Sequence, residues 1–397
     1  MRKFLSLAVF LCASTIAFAQ DATLFTAESD HYRVFSETSR SQAEQIAQRM
    51  EAALRLYNDV FHFDLSALST RMRVRVFRDA DGFNAYLVSV LSQTRTDFVF
   101  IAWSDPEKSE LLCFPKEEKS FTASLLHQGC IQFLKAFVAN PPIWLREGVA
   151  TYLDGAVYDA KAGQFTLKPN FLWLDGLKAA FRGETPAGVI PVSDLLTLSR
   201  EAAQAQLDVF YPEAWGLVHF LITSPDRVYN RIFWDAIGSL DPKGTLEENS
   251  LRLRTRAFSW VTDQKFRQDF EAYVLSVKTA DDLLRDGVDL YGKADLAKSE
   301  DSLTRALELE PENGVAWYYL GLVAYSRKEY AKAEDLYLKS FQFGTSAGVI
   351  NYALGVNSFA SGNSADAVKY LNFSKKSDQA TYGDKVDTLL KRISAGK

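Results

Sequence analysis

Three glycines in the C-terminal third, Gly287, Gly321 and Gly355, stand 34 residues apart, and their neighbours keep the same interval. Ser299, Ala333 and Ala367 form a second series, and Leu303, Tyr337 and Leu371 a third. Small and large residues at fixed offsets demand a unit that packs each copy against the next. Residues 281–397 are thereby constrained to a stack of short helical units. About three repeats is the minimum for stability, and Tyr382–Ile393 reads as a helix that caps the stack.

The N-terminus has a different grammar. Arg2 and Lys3 precede an apolar run from Phe4 to about Ile16, and Ala17-Phe18-Ala19 has the small-x-small form of a secretory cleavage site. Residues 1–19 are expected to be a signal peptide, with a mature start at Gln20 and an exported chain, periplasmic or at the cell surface. Cys12 raises the alternative of a lipoprotein, although Val9-Phe10-Leu11 before it lacks the small residues such a site prefers. No later segment has the length and apolarity of a transmembrane helix. The net charge of −5 argues against a nucleic-acid partner.

Periodicity between these ends predicts an α+β part. His31–Ser36 and Arg71–Phe77 alternate as strands, and Thr96–Trp103 and Glu110–Phe114 are two more. Ser41–Phe61, Asp81–Leu91, Thr122–Val138 and Ile143–Asp154 carry helical spacing, as do Glu213–Ser224 and Arg231–Ser239. The chain divides on this reading into an α+β part over 20–154, a helical part over 155–280 that completes the same domain, and the repeats over 281–397.

One pentapeptide carries the chemistry. A zinc peptidase helix needs His at i and i+4 so that both imidazoles project from one face, and Glu at i+1 to take a proton from the metal-bound water. This chain has His127-Gln128-Gly129-Cys130-Ile131. Gln128 has the shape of Glu but cannot accept the proton, and Ile131 cannot bind metal. An acidic residue, Glu147, follows on the next helix. As a lone His and a lone Glu on largely apolar helices, His127 and Glu147 also fit a satisfied buried polar pair, with Arg146 as another partner for Glu147. Cys130, three residues after His127, could join them as a His127–Cys130–Glu147 metal site. Cys113 and Cys130, the two cysteines of the mature chain, are either bridged or two separate buried thiols. His219 lies in an apolar run and reads as packing.

Two resemblances follow. Pro142–Leu153, PIWLREGVATYL, resembles the third-ligand helix of the peptidase-MA-like gluzincins, a metallopeptidase family with a Pro and Trp before the pattern Glu-Gly-x-Ala-x-aromatic. Those positions here are Pro142, Trp144, Glu147, Gly148, Ala150 and Tyr152, and Tyr211–Leu221 is similar to another recurring helix of that family. The resemblance covers roughly 30–240 and implies a gluzincin-like α+β domain with a small mixed sheet and a degenerate active site. It also implies a loose match of Tyr211 to the family's oxyanion-stabilising tyrosine, and a cleft that takes an extended chain against Glu110–Phe114. The 34-residue period resembles the tetratricopeptide repeat, which relatives often carry. Pro311, Trp317, Leu320, Gly321, Ala333 and Tyr337 match it, while Asn351 replaces the family's Trp and Thr345 and Gln379 its Pro.

The expected function is a pseudo-metallopeptidase that holds a protein or peptide partner, with enzymatic activity left open. No catalytic residue is expected from the vestigial set His127, Gln128, Ile131 and Glu147, and no cofactor, with zinc as the exception to watch. In the repeats Tyr291, Tyr325 and Phe359 are equivalent first-helix positions, and Tyr318 and Tyr352 form a second set. They either line a peptide-binding groove or fill the core between repeats. The competing classes are an active metalloprotease with a rearranged site and a structural assembly factor that works through the repeats alone.

Overall fold

The computed structural model describes residues 24–395; residues 1–19, expected from the sequence to be a signal peptide, and Cys12 among them lie outside the described residues. Contacts divide the chain between Glu271 and Ala272 into two compact units.

The first unit begins with strands β1 (Phe25–Glu28) and β2 (Tyr32–Ser36), helix α1 (Arg40–Phe61), β3 (Met72–Val76), α2 (Ala80–Leu91), β4 (Val99–Ile101) and β5 (Glu110–Cys113). The five strands make one mixed sheet in the order β1-β2-β3-β5-β4. β2, β3 and β5 run parallel, and β1 and β4 close the two edges antiparallel. Alternation sets the faces: Met72, Val74 and Val76 of β3 are buried while Arg73 and Arg75 are half-buried. α1 starts at Ser39, whose side chain accepts the Gln42 N–H, the usual way to satisfy an orphan donor at a helix start.

α3 (Glu118–Phe137) and α4 (Ile143–Leu153) follow, joined by five residues, 138–142. α3 packs on α1 through Tyr57 and Phe133, with ring centroids 5.7 Å apart. The approach is close because residue 129 has no side chain: a Cβ there would stand 2.6 Å from the Tyr57 hydroxyl. That hydroxyl donates to the Leu126 carbonyl at 3.0 Å.

A hairpin of β6 (Val157–Asp159) and β7 (Gln164–Thr166) precedes the short helices α5 (Leu174–Phe181), α6 (Val192–Leu195) and α7 (Arg200–Gln204). Then come α8 (Leu207–Thr223), α9 (Arg227–Gly238), α10 (Leu246–Arg256) and α11 (Asp263–Ser276). α8 begins six residues before the expected Glu213, and Pro212 sits inside it. α4 and α8 pack at near-backbone distance at Gly148, where a Cβ would stand 2.4 Å from the Ala214 carbonyl oxygen. Trp144 and Trp215, from these two helices, are both buried.

The second unit contains helices α12 (Ala280–Gly292), α13 (Leu296–Leu309), α14 (Gly314–Ser326), α15 (Tyr330–Gln342), α16 (Ala347–Ala360), α17 (Ser364–Ser377) and α18 (Gln379–Ala395). The first six form consecutive pairs, and α13, α15 and α17 start at Leu296, Tyr330 and Ser364, 34 residues apart. Each glycine of the series leaves room for one large side chain of its partner helix. A Cβ at Gly287, Gly321 or Gly355 would stand 2.6, 2.5 or 2.7 Å from Leu303, Tyr337 or Leu371. Ser340 and Ser374, also 34 apart, donate to the carbonyls of Gly314 and Gly348 at 2.7 and 2.8 Å. The turn inside each pair places one residue in the left-handed region: Ala294 (φ 60°), Lys328 (φ 65°) and Gly362 (φ 89°).

The structure therefore has a small mixed sheet followed by helices, as the sequence predicts, but the division falls within α11 rather than at 280. Among the described residues no helix is long and apolar enough to cross a membrane.

Candidate functional site

His127 lies on α3 and Glu147 on α4, and the angle between these helices brings the side chains together. His127 Nε2 is 3.3 Å from Glu147 Oε2, and its Nδ1 is 3.7 Å from Asp154 Oδ2. Arg146 grips the other oxygen of Glu147, with Nε at 2.8 Å and Nη2 at 2.6 Å. The Tyr211 hydroxyl, from α8, lies 3.5 Å from Glu147 Oε2. Tyr211 itself stacks on Trp173, with centroids 5.9 Å apart. Glu147 is thus the centre of a buried cluster rather than a carboxylate open to solvent.

The electrostatics follow from this packing. Burial by itself disfavours the charged form of both residues, yet the partners win. Hydrogen bonding with Asp154 and Glu147, and their charges, raise His127 to about 9. The His127 bond and the Arg146 charge hold Glu147 down to about 2. At neutral pH the pair is an imidazolium and a carboxylate. Tyr211 is pushed up to about 12 by burial and the Glu147 charge, so its hydroxyl stays protonated.

Gln128 and Ile131 occupy different roles. The Gln128 side-chain carbonyl accepts the backbone N–H of Phe100, on β4, at 3.0 Å. Ile131 lines the wall of a cleft of about 700 Å³ that also contains His127, Gln128, Glu147 and residues 95–102. β4 is the sheet edge on this cleft. β5, the strand expected to receive an extended chain, is interior and paired on both sides, so that expectation is corrected: it has no free edge to offer.

Cys130, also on α3, is not among the residues that line the cleft. It is fully buried, and burial, with the Glu147 and Asp154 charges, pushes its thiol up. Its electrostatic neighbours include Tyr32 and Tyr57. Cys113 is likewise buried, with its thiol 3.6 Å from the Arg75 carbonyl. Both cysteines are free. The bridge that the sequence leaves open is not made: Cys113 ends β5 and Cys130 lies on α3, two separate buried thiols.

The donor set does not suit zinc. His127 has a carboxylate beside each ring nitrogen, so a metal would have to displace one of them. Both Glu147 oxygens are engaged. Among the described residues no group of three or more His, Cys, Asp and Glu side chains is placed to hold a metal ion. His127, Cys130 and Glu147 accordingly do not form the three-donor site considered from the sequence.

His219 is buried beside Trp215, Tyr152 and Phe171, at centroid distances of 5.1, 5.9 and 5.9 Å. Burial holds it down to about 4, so it is neutral. Glu213, two residues after Tyr211, is pushed up to about 8 by burial, and its carboxyl accepts the Ile190 N–H at 2.6 Å.

Within the second unit Tyr291, Tyr318 and Tyr325 are half-buried against the repeat core, and Tyr352 packs with Tyr382 at 5.1 Å. Phe359 is exposed. Tyr318 stands 5.5 Å from Tyr319, which stands 5.9 Å from Tyr291. The stripe is therefore shared between packing and surface.

Sequence reading missed Asp154, Lys135, Arg200 and Phe100. Asp154 had a signal, since it lies seven residues, two helical turns, after Glu147. Arg200 and Phe100 had none, because only the tertiary fold brings them to the cleft. Comparison with known proteins finds no family model that matches the chain and no curated protein that does.

Proposed function

We propose that the chain is an exported pseudo-metallopeptidase that holds a protein or peptide partner rather than cutting it. On this reading the first unit derives from the peptidase-MA-like gluzincin domain, and the second is a short array of tetratricopeptide repeats. The observation that carries it is the fate of the two positions on which hydrolysis depends. Gln128 bonds the Phe100 backbone and has no basic oxygen to offer, and Ile131 is a wall. What remains, His127 with Glu147, Arg146 and Asp154, is a closed ion-pair cluster that fixes α3 on α4. The 34-residue spacing of helix starts, close-packed glycines and left-handed turns supports the repeat assignment.

Metal analysis of the purified mature protein tests the loss of chemistry. No stoichiometric zinc is expected; one zinc per chain, lost in Glu147→Ala or Cys130→Ala, would overturn the reading. Descent is tested by restoration. Gln128→Glu with Ile131→His is expected to bind zinc, since the imidazole at position 131 would join His127 and Glu147 as a third ligand and the carboxylate at 128 would restore the general base. A folded double variant that binds none counts against the family assignment.

A further inference from the structure

The cleft is positive in a chain that is negative overall. Arg95, Lys135, Arg146, Arg200 and the protonated His127 line it, against Asp97 and Glu147, while the whole chain carries −5. Both anions are already paired: Asp97 with Lys116 at 2.5 Å, and Glu147 with Arg146 and His127. The cations are less well served. Lys135, half-buried on α3, donates to the Ala139 carbonyl at 3.0 Å and has no carboxylate partner among the described residues. Arg200, exposed at the start of α7, has no ion pair among the described residues. The two are close enough to feel one another: burial first, then the Arg146 and Arg200 charges, push the Lys135 ammonium down. With Asp97 and Glu147 committed to other partners and only the neighbouring Glu201 carboxylate felt by Arg200, the cations in excess along this cleft favour an anion.

The rest of the lining says what the anion is attached to. Ile131, Ile143, Leu207 and Phe210 make apolar walls around the same space. Its volume of about 700 Å³ is far more than an inorganic anion fills and suits several amino-acid residues. The β4 edge offers little to an added strand, because the Phe100 N–H is already bonded by Gln128. Recognition here falls to side chains and charge.

Resting on the reading of the first unit as a holding cleft, we propose that its ligand is an acidic peptide. A carboxylate sits between Lys135 and Arg200, with apolar neighbours against Ile131, Ile143, Leu207 and Phe210. Either an Asp or Glu side chain or a chain-terminal carboxylate supplies that chemistry.

The test uses the mature full-length protein and fluorescence anisotropy with three fluorescein-labelled decapeptides. One alternates Leu and Glu with an amidated C-terminus, one replaces Glu by Gln, and one is the Gln peptide with a free C-terminus. The Glu peptide is expected to bind about tenfold tighter than the amidated Gln peptide at low salt, with the gap closing as salt rises. Arg200→Glu, at an exposed position, is expected to weaken it about tenfold, while Arg285→Glu in the second unit leaves it unchanged. Tight binding of the free-terminus Gln peptide assigns the carboxylate to a chain end, and tight binding of the Glu peptide assigns it to a side chain. Equal affinity for all three peptides, no effect of Arg200→Glu, or complete displacement by equimolar inorganic phosphate overturns the proposal. Absence of all peptide binding in metal-free protein overturns this proposal but leaves the loss of hydrolysis standing; stoichiometric zinc overturns that earlier reading instead.

Discussion

The two units of this protein are stabilised by different kinds of contact. In the second unit the same contact is made repeatedly between residues close in sequence. Gly287 meets Leu303, Gly321 meets Tyr337 and Gly355 meets Leu371, each 16 residues on. In the first unit the decisive contacts are single and distant. Tyr57 donates to the Leu126 carbonyl, Gly148 leaves room for the backbone of Ala214, and the Phe100 N–H donates to Gln128. A repeated local contact can lose one copy and keep the others, whereas a unique long-range contact has no substitute.

The largest effect expected from this contrast is at Gly148. Alanine there puts a Cβ 2.4 Å from a carbonyl oxygen and 2.7 Å from Val218, and backbone on both sides cannot yield easily. Gly148→Ala should cost about 3 kcal/mol and lower the melting transition of the first unit alone. An unchanged transition in calorimetry would show that α4 and α8 are free to separate.

Raising the pH should divide the units in the same way. Glu213 has a folded-state pKa raised to about 8, and His127 one raised to about 9. A raised value stabilises the fold below the unfolded pKa, and the contribution is lost as pH climbs through the folded one. Glu147, held down to about 2, works in the other direction: its contribution is complete above its unfolded value and fades only in strong acid. Between pH 6 and 9 the first unit should therefore lose stability, about 2–3 kcal/mol from Glu213 alone by pH 8, with His127 adding in the same direction. The second unit, whose marked shifts among described residues are upward shifts of tyrosines, should hold. Thermal melts at both pH values, followed by amide exchange in each unit, check this. Equal losses in the two units would sink it.

A smaller effect is expected at Gly321. Its added Cβ would meet the Tyr337 ring at 2.5 Å, but a ring edge can tilt, and alanine favours the helix. Gly321→Ala should cost about 1 kcal/mol, read as a modest shift of the second unit's denaturant midpoint. A loss as large as that of Gly148→Ala would erase the proposed difference between the units. The smallest effect has the opposite sign. Lys328 holds a left-handed turn where the next repeat has Gly362. Lys328→Gly should gain about 0.5 kcal/mol in the second unit, and a destabilised variant would mean that the lysine side chain matters more than the turn.

Much of the fold was legible in the chain. β3 emerged from the strict alternation of Arg71–Phe77, and α1 from the spacing of Ala43, Ile46, Ala47 and Met50. The hairpin Val157–Asp159 with Gln164–Thr166 was missed because its strands are short and mostly exposed, with no buried period to read. α8 begins at Leu207, ahead of the Glu213–Ser224 stretch that carries the spacing, and Pro212 falls within its early turns. Within the site, His127 and Glu147 were found by residue type and spacing, and so was the option that Arg146 pairs with Glu147. Which oxygen each partner takes was not, because it depends on the angle between α3 and α4.

The sequence alone determined a repeating helical unit, a helix bearing His127 with Gln128 and Ile131, and a second helix bearing Glu147. Periodicity and side-chain chemistry are local properties, and they survive without coordinates. Only the tertiary structure decided that β4 rather than β5 is the edge on the cleft and that Gln128 bonds that edge. It also decided that Cys113 and Cys130 are free thiols and that Lys135 and Arg200 line one cleft. Each of these joins residues far apart in the chain, and a distance across a fold is set by packing that no single segment encodes.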